Sequence, residues 1–470
     1  MIGVFGETGP DFAKTSTGKH APSLLYNTSM KTITHTLKNG LRVLIIDTES
    51  FPTVTALVMV GAGSRYERKD NNGIAHFFEH MAFKGSKQYK TSFEISSAIE
   101  GIGGLFNAFT SKDHTGYWIK ATTEHTKTLI DVLSDMILHP LLEADEIERE
   151  KGVIVEEINM YEDMPSRKVG DIFEEIMYTG SSLGMDIAGS KETVTAFNRK
   201  TFTDYIDELY HPNNAVVVLA GGFGLAGKKT EDRRQKTEAD KYIDYIEEKF
   251  GKWENKKTLE ASKYTGVQKK PILHIHHKKT EQVHLCIGFK TFSFTDERKY
   301  ALQVLAAVLG GGMSSRLFMQ VRERRGLCYY ISTGRELYKD TGSIVTQAGI
   351  RNDKKKIQEA INVILEEHMK IAGGDVTGEE IEKAKELLKG RYLLSLEDSM
   401  NIAAMYGAKY ILEGEIVDTQ KTLEKLKKIG KKEVIAVAQD IFREERLTCA
   451  IIGPLQKGDI TLQLKSVEIS

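Results

Sequence analysis

Residues 76–80 read His-Phe-Phe-Glu-His and bring two imidazoles and a carboxylate within five positions. On a helix, residues four apart share one face, so His76 and His80 would present their ring nitrogens together, with Glu79 beside them. Imidazole nitrogens suit Zn²⁺. Such an ion lowers the pKa of a bound water to about 7, where a neighbouring carboxylate can take its proton. The order HxxEH inverts the better-known zinc-binding order HExxH.

Two histidines do not complete such a site, because a catalytic zinc generally has three protein ligands and one open position. The third ligand must come from another element. Residues 143–162 carry helical spacing, and within them Glu150 and Glu157 are seven apart, on nearly the same face. Glu156 is turned away by about 100°. Glu157 is therefore expected as the third ligand. Glu150 is expected as an outer carboxylate that bonds a ligating imidazole and fixes its tautomer.

The elements that must hold these groups can be read in outline. Residues 41–47, 53–61, 117–122 and 215–220 have strand character, and 124–137, 143–162 and 379–396 have helical spacing with charged outer faces. Strands and helices do not alternate strictly, which favours an α+β fold with helices packed on largely antiparallel sheets.

The chain also repeats itself. Residues 146–151 (EIEREK) are echoed 234 positions later by 380–385 (EIEKAK), 211–221 are echoed at 443–453, and the strand and helix around 55–85 are echoed around 283–311. A repeat this long implies two homologous domains rather than a solenoid. The second copy has lost the chemistry: residues 301–309 (ALQVLAAVL) stand in place of the His/Glu helix, Ala384 in place of Glu150, and Arg391 in place of Glu157. The expected layout is an N-terminal extension (1–31), a metal-binding domain (32–250), a linker (251–265) and a degenerate second repeat (266–470), with a densely charged stretch at 227–240.

Composition narrows the class. With 65 Lys and Arg against 66 Asp and Glu in 470 residues, the net charge of −1 gives no reason to expect nucleic acid or an anionic membrane as partner. No apolar run approaches the roughly 18 residues that span a bilayer. Cys286, Cys328 and Cys449 have no CxxC spacing and read as reduced core thiols. The first 30 residues contain neither an apolar signal core nor an arginine, so a cytoplasmic location is expected. Phe77, Phe78, Met81 and Phe83 read as core packing of the histidine helix, and His274, His276 and His277 as structural residues of a strand.

Residues 73–85 (GIAHFFEHMAFKG), the Glu157 that follows His80 by 77 positions, and residues 322–329 together resemble the inverted-zincin family of pitrilysin, insulin-degrading enzyme and mitochondrial processing peptidase. The resemblance spans about residues 32–460 and is nearest to the short two-repeat bacterial peptidases and the processing-peptidase β subunit. It implies a zinc-dependent endopeptidase acting on peptides or unfolded segments in extended conformation. His76, His80 and Glu157 would be its ligands, Glu79 its general base and Glu150 the outer carboxylate.

Residues 103–115 resemble the family's edge strand, on which a substrate peptide lies while Asn107 orients the cleaved bond. Residues 310–329 resemble its Arg/Tyr segment, so Arg322 and Tyr329 would donate to the substrate carbonyl, with Tyr330 a competitor for the second place. The family generally encloses its active site between halves of two repeats each. A two-repeat chain then implies a partner, first a homodimer and second a heterodimer. The alternative from another class is a non-catalytic scaffold subunit, which the intact motif set disfavours.

Overall fold

A computed structural model describes residues 30–223 and 237–464; most of the 1–31 extension and of the charged 227–240 stretch lies outside the described residues. The first sheet contains β1 (Lys31–Thr36), β2 (Arg42–Asp47), β3 (Thr53–Val60), β4 (Leu105–Thr110), β5 (Thr115–Thr122) and β6 (Ala215–Gly221), in the order β1-β2-β6-β3-β5-β4. The second contains β7 (Ile272–His277), β8 (Gln282–Thr291), β9 (Cys328–Leu337), β10 (Gly342–Arg351) and β11 (Leu447–Gly453), in the order β7-β11-β8-β10-β9.

The series β2-β6-β3-β5-β4 thus recurs as β7-β11-β8-β10-β9, so the repeat in sequence is a repeat of topology. In each series the first pair is parallel and the rest antiparallel. The parallel pair arises because its two strands are joined by a long crossover rather than a hairpin. The fold is α+β with two mixed sheets. The helices read from spacing appear as Thr126–Leu138, preceded by a short 3-10 turn, as Ala144–Glu162 and as Gly378–Ser395.

Strand β6 is apolar and buried along its whole length and β3 is buried at every position after Thr53, rather than alternating, because both faces of the sheet are covered. One face packs on helices of its own repeat, among them Ile74–Met81 and Thr126–Leu138. The other is covered from the opposite repeat: Ile402, Ala403 and Tyr406 of the Ser399–Glu413 helix pack on Leu44, Leu57, Met59, Val216 and Val218. The equivalent helix of the first repeat, Pro165–Met177, lays Val169, Ile172, Phe173 and Met177 on Cys286, Ala450 and Ile452 of the second sheet. This reciprocal exchange joins the halves through two apolar layers.

The halves also meet through charge. The β4–β5 and β9–β10 hairpins carry the same dipeptide, Lys112-Asp113 and Lys339-Asp340, and both aspartates converge on the buried Arg65. Its Nη1 lies 2.7 Å from Asp113 Oδ1 and its Nη2 2.9 Å from Asp340 Oδ2. The Lys339 amide donates to Asp113 Oδ2 at 3.3 Å, closing the contact. The three cysteines are free and buried. Among the described residues no helix is long and apolar enough to cross a membrane.

Candidate metal centre

The Ile74–Met81 helix is divided by its period. Phe77, Phe78 and Met81 face the core, where Phe77 meets Phe202 edge-on at 5.0 Å and Phe78 meets Tyr210 at 4.9 Å. His76, Glu79 and His80 are left on the outer side, only partly buried. The Ala144–Glu162 helix packs beside it, holding Ile147 and Ile154 in the same core and turning Glu150 and Glu157 toward the histidines. Glu156, as expected, is exposed, and among the described residues its hydrogen bond is with Asn159 on its own helix.

His76 Nε2 lies 3.6 Å from Glu157 Oε1, and His80 Nε2 lies 3.5 Å from Glu157 Oε2. One ligand atom from each of the three residues lies within 4.8 Å of the others. These separations are long for hydrogen bonds. They suit a shared ion, since bonds of about 2.0–2.2 Å in tetrahedral array put donor atoms roughly 3.3–3.6 Å apart. The donor set of two imidazoles and one carboxylate therefore fits Zn²⁺ in both chemistry and spacing.

The surroundings prepare the donors. His80 Nδ1 donates to Glu150 Oε1 at 2.9 Å, which leaves the Nε2 lone pair toward Glu157. Lys84 Nζ holds the other Glu150 oxygen at 2.5 Å. Burial alone would raise the Glu150 carboxyl, but the hydrogen bonds from His80 and Lys84 outweigh it and hold the group below its ordinary range. Burial and the adjacent His80 push His76 down to about 4, so its imidazole is neutral and able to ligate at neutral pH. Its Nδ1 is buried without a hydrogen-bond partner among the described residues. Burial raises the Glu79 carboxyl, opposed by the Thr110 hydroxyl, which donates to Oε2 at 2.6 Å.

Tyr161 was not evident as a site residue from sequence. Its hydroxyl donates to Glu157 Oε1 at 2.7 Å, and that bond pushes the phenol up to about 12. The Arg167 guanidinium lies over its ring at 4.0 Å from the centroid. The i, i+4 relations of Tyr161 to Glu157 and of Lys84 to His80 were the available signals. Thr110 offered none, because it arrives from the sheet.

A cavity of about 280 Å³ opens beside the cluster, with His76, Glu79, Thr110, Glu157, Tyr161 and Asp171 in its walls. A larger one of about 990 Å³ shares Asp171, Gly184, Met185 and Asp186 with it but touches none of the three clustered residues. Asn107 is exposed on β4, the outermost strand of its sheet. Arg322 and Tyr329 lie together in the second repeat, the Arg322 guanidinium 4.6 Å from the Phe318 ring centroid and 5.8 Å from that of Tyr329. Neither lines the smaller cavity, nor does Asn107. Tyr330, the competitor, has its hydroxyl 2.9 Å from His284 Nδ1, whereas Tyr329 is 73% exposed.

Residues 42–191 match the family model described as insulinase (peptidase family M16), and residues 236–388 match that of the peptidase M16 inactive domain. The chain is 35% identical over 424 residues to the uncharacterised zinc protease YmxG of Bacillus subtilis, covering 89% of this chain and 98% of that one. It is 31% identical to an uncharacterised zinc protease of Streptomyces coelicolor, over 90% of this chain and 89% of that one. In fold it is similar to a Helicobacter pylori protease, at a TM-score of 0.82 and 23% identity, over 91% of this chain and 100% of that one. It is also similar to an M16-like peptidase described as putative from Alicyclobacillus acidocaldarius, at a TM-score of 0.75 and 23% identity, over 91% and 99% of the two chains. The word inactive attaches to the half in which the buried Lys299–Gly310 helix replaces the histidine helix. With the family models and near full-length relatives in agreement, the chain belongs to peptidase family M16.

Proposed function

We propose that this chain is a zinc metalloendopeptidase that hydrolyses peptides or unfolded segments bound in extended conformation. The observation that carries this reading is the convergence of His76, His80 and Glu157, with Glu79 beside them in the wall of an open cavity. The zinc-protease names of its relatives support it. His76, His80 and Glu157 would hold Zn²⁺, which would supply Lewis acidity toward a bound water and the scissile carbonyl.

The chain's own groups do the rest. Glu79, steadied at one oxygen by Thr110, takes the proton of the attacking water and returns it to the leaving nitrogen. Glu150 keeps His80 in the tautomer that ligates through Nε2. The open edge of β4 pairs with the substrate main chain, which makes binding largely indifferent to side chains, and Asn107 orients the bond. Arg322 and Tyr329 donate to the substrate carbonyl from the opposite wall. A homodimer fits this arrangement first and a heterodimer second.

Protein purified without added zinc is expected to hold about one Zn²⁺ per chain and to cleave a quenched fluorescent peptide; a chelator abolishes cleavage and zinc restores it. Metal-free protein that stays inert when zinc is supplied would favour a scaffold. Tyr161→Phe removes the donor on Glu157, and zinc affinity is expected to fall about tenfold by chelator competition.

A further inference from the structure

The first turn of the Ile74–Met81 helix lacks the usual local cap. Its N-cap is Gly73, at φ 98°, with no side chain to accept from the free amides, and the first turn carries no acidic residue. The acceptor comes instead from Glu67, whose side chain is buried. Glu67 Oε2 accepts from the Gly73 amide and Oε1 from the Ala75 amide, each at 2.8 Å. Oε2 also accepts from Asn72 Nδ2 at 2.8 Å, and that amide donates in turn to the Asp186 carbonyl at 2.8 Å. The three partners of the carboxyl among the described residues are all donors, and they oppose the burial that pushes the group up to about 7.

The same carboxylate thus fixes two things. It holds the turn that leads directly into His76. Through Asn72 it also holds the loop carrying Met185, Asp186 and Ala188, which walls the catalytic cavity. The approach there is backbone to backbone: a Cβ on Gly73 would meet the Ala188 carbonyl oxygen at 2.7 Å, and one on Gly189 would meet that of Asn72 at 2.4 Å. Little slack is left for the helix start to shift without moving the loop.

We infer that Glu67 is a positioning residue for the metal centre, setting the register of His76 and His80 against Glu157 by clamping the start of their helix to the cavity loop. The inference rests on the metal reading above. Glu67 is outside the clustered donor set and outside the walls of the smaller cavity, so its effect appears in zinc affinity before it appears in peptide binding.

The test uses the full-length chain and Glu67→Gln, an isosteric change that sets an amide N–H₂ against main-chain donors, together with Glu67→Ala. Zinc dissociation constants are measured by chelator competition on protein shown to be folded by circular dichroism. The expected result is affinity weakened about 10-fold in Glu67→Gln and about 100-fold in Glu67→Ala, with KM for a long peptide within about twofold of the parent. Folded variants that bind zinc as tightly as the parent would overturn the inference. If Glu67→Ala does not fold, the glutamine variant decides alone. A parent chain that binds no zinc would instead sink the metal reading, and this inference with it.

Discussion

Glu79→Gln is expected to lower peptide hydrolysis by about 10²–10⁴-fold while leaving zinc content unchanged. Glutamine keeps the volume of the side chain and an oxygen that can accept from the Thr110 hydroxyl, 2.6 Å away in the parent. It cannot take a proton. Glu79 is no member of the clustered donor set, so the ion's seat is intact in the variant. Burial that raises the Glu79 carboxyl also brings it nearer to neutral pH, where a group that both takes and returns a proton works best. The measurement is kcat/KM on a quenched fluorescent peptide beside metal analysis of the same sample. Equal, slow cleavage by parent and variant would turn the assignment toward a non-catalytic subunit.

Arg65→Ala is expected to destabilise the fold by about 3–5 kcal/mol, the usual cost of removing one partner from a buried ion pair. The reason lies in what remains. Asp113 and Asp340 would face each other across the contact between the two hairpins, with side chains only 5% and 20% exposed and no cation between them. The Arg65 guanidinium is held protonated by these two carboxylates despite the opposing effect of burial. Urea unfolding followed by circular dichroism reads the change, and a loss below about 1 kcal/mol would show that the network is dispensable. Asp340→Asn, which removes only the arm from the second repeat, is expected to cost less because Arg65 keeps Asp113.

Particular residues show where sequence reading reached and where it ended. The HxxEH helix, the long helix with Glu150 and Glu157, and the duplication were legible because each rests on spacing within one element or on direct self-similarity. That Glu157 faces the histidines depends on how the two helices dock, and the docking brings its oxygens to 3.6 and 3.5 Å from His76 Nε2 and His80 Nε2. Spacing does not show the exchange of the Pro165–Met177 and Ser399–Glu413 helices between the sheets of the two repeats. Their apolar stripes are visible in sequence, but a stripe does not name the sheet it will cover.

The chain by itself determined which groups stand four or seven residues apart on one helical face, which copy of the repeat kept the His/Glu set, and that the strand at 215–221 is apolar. These follow from the helix and strand periods, which act over a few residues. Only the tertiary structure decided that Thr110 reaches Glu79, that Glu67 caps the histidine helix, and that two hairpins 227 positions apart share one arginine. Those contacts depend on how apolar faces pack. Each buried polar group then finds its partner among whatever the packing brings near, a choice with no signature in local sequence.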